Sequence, residues 1–273
     1  MSALRVPALE LHLTDRDIRI LEDLEQYRML TTRQVQRLHL PVKPLGTHAS
    51  VSAATRGTTR ILTRLEGLAA VIRYDRRIGG LKHGSASTIW QIGGAGERYL
   101  RALRGDTARR RYREPNAPFI AHTLAVADVA VTLREHAAAQ RFDLLTLDAE
   151  PACWRPMSGT AGDAVTLKPD LYVVTADART ETHSFVEVDL GTEHTPAVLR
   201  KCRLYQQYFQ TGTEQATHGL FPAVVWLTPT VKRAERIRTA IATDRTLDAD
   251  LFWVAPAEQA IDHLAPYPAN TTT

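Results

Sequence analysis

The sequence predicts a two-domain α+β protein, with three short helices and a hairpin followed by a mixed sheet carrying helices, α/β in character. Three observations predict it. At 273 residues the chain can bury two modest cores. Its hydrophobic fraction of 44% and charged fraction of 23% are those of an ordinary globular protein. Finally, its charge is divided: residues 1–113 hold 21 Lys and Arg against 10 Asp and Glu, and the remainder holds 13 against 20. A basic first part beside an acidic second part makes the first a candidate for nucleic acid. No run approaches the roughly 18 uninterrupted apolar residues of a membrane helix, and the N-terminus has no signal-peptide pattern, so a cytoplasmic protein with no membrane partner is expected. Cys153 and Cys202 show neither the spacing of a zinc site nor that of a disulfide framework.

Thr14 and Asp15 cap a first helix with Ile18, Leu21, Leu24, Tyr27 and Leu30 at helical steps. Thr31 and Thr32 cap a second, with Val35 and Leu38 inward, which Pro41 and Pro44 terminate. A third runs from about Val51 to Leu68 and is expected to bury Ile61, Leu62, Leu65 and Leu68. Ala70 to Ile78 and Ser87 to Ile92 then read as strands around a Gly-rich basic tip, and Gly93 to Leu103 as a closing helix. Three helices and a hairpin make a winged helix-turn-helix over residues 1–108. On the exposed side of the third helix, Arg56, Arg60 and Arg64 follow at i, i+4 and i+8, with Thr59 and Thr63 alongside. That face is expected in the major groove of double-stranded DNA, with the tip residues Arg76, Arg77 and Lys82 on the flanking backbone. The run Arg109 to Arg113, before Pro115 and Pro118, reads as a basic linker over 109–118.

The remaining 119–273 read as a helix from Phe119 to Gln140, a strand from Phe142 to Leu147 and an irregular stretch around Trp154 to Gly162. Strands Leu171 to Val174 and Ser184 to Leu190, helix Pro196 to Phe209, strand Pro222 to Thr228, helix Val231 to Ala242 and strand Asp250 to Val254 follow. This order, αβββαβαβ, suits a mixed central sheet with helices packed on it. Asp170 stands at the head of one apolar run; Glu187 and Asp189 lie two apart in the next and share a strand face. Lys201, Tyr205 and Tyr208 follow at helical spacing, so acids, a cation and phenols can meet in one cleft.

Pro169-Asp170 followed 17 residues later by Glu187-Val188-Asp189 resembles the PD-(D/E)XK nuclease superfamily, of restriction-endonuclease-like fold. Over nearly its whole length the chain resembles the actinobacterial replication-relaxation family. The resemblance rests on the winged helix, an H-x-L-x-V-x-D helix from His122 to Asp128, the Pro169-Asp170 pair, E-V-D-x-G-T-E from Glu187 to Glu193, and Lys201 with Tyr205 four residues on. It implies a DNA-binding protein of plasmid or mobile-element replication or transfer that nicks or cleaves DNA. The cofactor would be Mg²⁺ or Mn²⁺ held by Asp170 and Glu187, with Asp189 a further ligand or a turn residue. A homodimer and other replication or transfer proteins are the partners it suggests. The superfamily pattern has lysine where this chain has Asp189; Lys201 is the candidate replacement, and Tyr205 beside it a substrate contact. The alternative is a non-catalytic initiator or transcriptional regulator that keeps a degenerate nuclease fold.

Overall fold

The first two helices begin with the same device. Thr14 accepts from the Asp17 amide while the Asp17 carboxylate takes the Thr14 N–H at 2.8 Å, opening α1 (Asp15–Gln26). Thr31 and Gln34 do the same for α2 (Thr32–His39), at 2.8 Å. The computed structural model describes residues 9–74, 88–106, 115–159 and 162–266, which divide into two compact units, Met1–Val131 and Thr132–Thr273. Both are mixed α+β. The tip residues Arg76, Arg77 and Lys82 and the run Arg109 to Arg113 lie outside the described residues.

In the first unit, strand β1 (Leu30–Thr31), α2, α3 (Val51–Gly67), β2 (Val71–Tyr74), β3 (Ile89–Ile92) and α4 (Gly94–Arg104) follow α1. The strands pair antiparallel in the order β1-β3-β2. Ile20, Leu21, Leu24, Val35, Leu62, Leu65 and Trp90 are buried between these elements. The stripe that α3 buries is Ala54, Thr58, Leu62 and Leu65; Ile61 and Leu68, expected inward, are half-buried. Small Ala54 lets α3 approach closely, and the Thr58 hydroxyl is satisfied by the Ala54 carbonyl at 2.9 Å, so neither looked like core by hydropathy.

Helix α5 (Ala117–Ala138) contains the point where the units divide. Among the described residues it is the one helix whose length and composition would suit a membrane span. Its apolar positions have protein partners instead: Ile120 and Leu124 pack on Met29 and Ile89. Asp128, on its exposed side, accepts from Gln34 and Arg37, each at 3.1 Å.

The second unit is built on a five-stranded sheet of order β10-β9-β8-β7-β4. Its strands are β4 (Asp143–Ala149), β7 (Leu171–Ala176), β8 (Glu181–Val188), β9 (Ala223–Thr228) and β10 (Phe252–Pro256). β8, β9 and β10 run parallel, while β4, β7 and β8 are antiparallel, giving the mixed sheet expected. One face carries Tyr172, Val174, Phe185, Trp226 and Val254 against α6 (Thr195–Gln210) and α8 (Val231–Thr243). Four elements go beyond the expectation. The stretch read as irregular opens a separate hairpin, β5 (Arg155–Ser158) with β6 (Ala164–Leu167), and the short helices α7 (Thr213–His218) and α9 (Ala260–Leu264) are additional. Their apolar patterns are too short to declare a period.

Candidate functional site

The pairing of β7 with β8 sets Leu171 opposite Val186 and Tyr172 opposite Phe185. Asp170 lies just before β7, where its N–H donates to the Val186 carbonyl at 3.0 Å, beside the end of β8 that carries Glu187. Both side chains belong to the sheet face that α6 covers. Asp170 is 5% exposed and its Oδ2 accepts from the Val188 amide at 2.7 Å, which fixes the turn entering β7 to the end of β8.

Glu187 is 2% exposed and held at both oxygens. Lys201 Nζ donates to its Oε2, and the Tyr205 hydroxyl donates to its Oε1 at 2.5 Å. Lys201 and Tyr205 lie one turn apart on α6, whose first turn carries Pro196, a residue suited to that position because it needs no amide donor there. Tyr205 is wholly buried against Phe185, whereas the Lys201 side chain is 28% exposed.

The charges of the cluster constrain one another. Burial pushes the Glu187 carboxyl up to about 8, against the pull of Lys201 and with a further push from Asp170. Burial alone would lower Lys201, but the neighbouring Glu187 and Asp170 outweigh it and the ammonium holds its proton more firmly than usual. Tyr205 is raised well above the ordinary phenol, by burial first and by Glu187 second, and stays a hydrogen-bond donor at neutral pH. In that state the phenol supports Glu187 as a hydrogen-bond donor.

Asp189, expected beside Glu187, has a different partner. Its carboxylate is gripped by Arg233 of α8, Nε to Oδ2 at 2.7 Å and Nη2 to Oδ1 at 3.1 Å, and Nη2 also donates to the Glu193 carbonyl at 2.6 Å. Both groups are buried. The expected trio of acids is therefore a pair of acids with a lysine, plus a separate ion pair tying the loop after β8 to the start of α8. Among the described residues no three His, Cys, Asp or Glu side chains group as a metal cluster. Arg233 was legible only as one of several cations on a basic helix; nothing local marks it as the buried one.

On α3, Arg56 and Arg60 are exposed, and Arg56 bonds Ser52 Oγ at 2.7 Å. Thr59 is half-buried and donates to its own helix, to the Thr55 carbonyl at 3.0 Å. Arg64 is committed within the unit: it bonds buried Asp17 at 2.6 Å and the His12 carbonyl at 2.9 Å, bracing α3 against α1.

No curated protein and no solved structure gives a significant match to this chain. The sequence profile of the replication-relaxation family matches residues 21–224, well over half of the chain. That stretch runs from α1 through Asp170, Glu187 and α6 into β9, and with both units included in the match, the chain belongs to the replication-relaxation family.

Proposed function

We propose that this protein acts on double-stranded DNA in the replication or transfer of a plasmid or mobile element, binding it with the first unit and hydrolysing a phosphodiester with the second. The observation that carries the reading is the Lys201 ammonium on Glu187, with Asp170 bonded to the amide of the next residue, Val188. It supports a PD-(D/E)XK-like centre whose lysine comes from the helix after the second acid, where the strand itself offers Asp189 with its charge cancelled by Arg233. Carboxylate oxygens are the donors Mg²⁺ prefers alongside water and phosphate, and Asp170 and Glu187 would hold it. Bound there, the cation would polarise the phosphate and lower the pKa of a coordinated water. Lys201, the exposed member, would neutralise charge developing on the phosphate. The order of helices and strands in the first unit supports a winged helix, with Arg56 and Arg60 the contacts from α3.

A second reading, a non-catalytic initiator or regulator, is favoured by the hold that Lys201 and Tyr205 have on both Glu187 oxygens. Supercoiled origin DNA incubated with Mg²⁺ or Mn²⁺ separates the two. The catalytic reading expects nicked or linear product from the wild type. Asp170→Ala and Lys201→Ala should lose it by roughly 10²–10³-fold, the usual scale for removing one transition-state stabiliser. Wild type and Asp170→Ala equally inert on DNA that they demonstrably bind would leave the regulator.

A further inference from the structure

A second buried polar cluster lies on the same sheet face, centred on Glu214 of α7, which is 3% exposed. Its Oε1 accepts from Arg155 Nε and from the Tyr208 hydroxyl, each at 2.7 Å. Arg155 opens β5 opposite Leu167, its guanidinium lies 4.7 Å from the Tyr172 ring centre, and its Nη1 donates to the Cys153 carbonyl at 2.9 Å. Cys153 is fully buried, and its thiol donates in turn to the Pro169 carbonyl at 3.0 Å and, more weakly, to the Asp170 carbonyl at 3.7 Å.

We infer that Glu214, Arg155 and Cys153 form a positioning relay that holds the Pro169–Asp170 turn in register with α6, so that one helix aligns both acids. Lys201 and Tyr205 of α6 fix Glu187 directly; Tyr208, on the same helix, fixes Asp170 through Glu214, Arg155 and Cys153. The planar fork of Arg155 can serve Glu214 and the Cys153 carbonyl at once, which an ammonium cannot do with the same geometry. The catalytic consequence rests on the reading proposed above; the mechanical one does not.

The test therefore has two arms, using full-length wild type, Arg155→Ala, Arg155→Lys, Cys153→Ala and Cys153→Ser. In the first, native protein is treated with iodoacetamide and alkylation at Cys153 and Cys202 is followed separately by mass spectrometry. Arg155→Ala should speed alkylation at Cys153 at least tenfold over Cys202, with Arg155→Lys intermediate. Equal acceleration at both thiols, or none, overturns the relay, because loss of global stability exposes both. In the second arm, Mn²⁺ binding is measured by calorimetry and nicking as a function of Mg²⁺. Arg155→Ala and Cys153→Ala should weaken metal binding by roughly 10- to 100-fold, the range for partners that orient a ligand, with KM for DNA unchanged and Cys153→Ser restoring most of it. Unchanged metal dependence in a wild type that nicks overturns the catalytic role of the relay. A wild type that neither binds Mn²⁺ nor nicks rejects the catalytic centre instead, and the alkylation arm alone then decides whether the relay holds the turn.

Discussion

Glu187 and Asp189 leave the end of β8 two residues apart, on the side of the sheet that two helices cover, yet they do different work. Glu187 meets a lysine whose side chain is 28% exposed and a phenol held well above its ordinary pKa by burial and by Glu187 itself. Asp189 meets a two-pronged guanidinium that satisfies both its oxygens, and becomes a bracket. The same split occurs on α3, where Arg56 and Arg60 face outward while Arg64, on the same stripe, is spent on buried Asp17. In both units, spacing chooses the face, and a distant partner decides whether a charge on that face is for holding the fold together or for meeting a ligand.

Removing the two acids one at a time separates their roles. Asp189→Ala strands a buried arginine and should cost about 3–5 kcal/mol of stability, the usual penalty for halving a buried ion pair. Glu187→Gln, which keeps the side-chain volume and the acceptor for Tyr205, should abolish nicking while the fold persists. Chemical denaturation beside the nicking assay measures both. A stable Asp189→Ala protein with no nuclease activity would reverse the two roles.

Tyr205→Phe is the next largest expected effect. Losing a neutral hydrogen bond costs roughly 0.5–1.5 kcal/mol, and the change should raise the Glu187 pKa further because one of its lowering partners is gone. Nicking should survive at higher pH, and neither protein should leave a covalent adduct with DNA that resists detergent. An adduct formed by the wild type and absent from the variant would make the phenol a nucleophile after all.

The α3 residues give a smaller effect with a cleaner signature. Replacing Arg56 and Arg60 with alanine should weaken DNA binding and reduce the slope of log K against log salt by about 0.9 for each lost phosphate contact. Arg64→Ala should act mainly on stability. An equal loss of slope from Arg64→Ala would return that residue to the DNA face.

How much of this was legible beforehand follows from the same distinction. Long periodic segments such as Pro196 to Phe209 are legible in the sequence, and so is the shared strand face of Glu187 and Asp189, because alternation is a local rule. The β5–β6 hairpin, with four residues a strand, carries too little pattern to read. The Arg233 bracket and the Arg155–Glu214 contact join residues 44 and 59 positions apart, and only the folded chain brings them together. Lys201 was the exception, since the family resemblance pointed to a lysine on the following helix, where Arg200 and Arg203 flank it and local pattern alone does not choose among the three.

The pH dependence of metal binding probes the poise of Glu187 most finely. Its carboxyl ordinarily titrates near 4.5 and is pushed up to about 8 in the folded protein. Without metal, the stability this proton contributes is fully present below about 4.5 and is lost as pH rises through about 8, since the folded state binds the extra proton over that interval. A cation coordinated by Glu187 must displace the same proton. Mn²⁺ affinity should therefore climb by up to about tenfold per pH unit below 8 and level off above it, with up to one proton released per ion near pH 7, seen by calorimetry in buffers of different ionisation enthalpy. Glu187→Gln should flatten both the stability slope and the proton release. A flat Mn²⁺ affinity between about pH 6 and 9 in the wild type would mean that the metal, if bound, does not use Glu187.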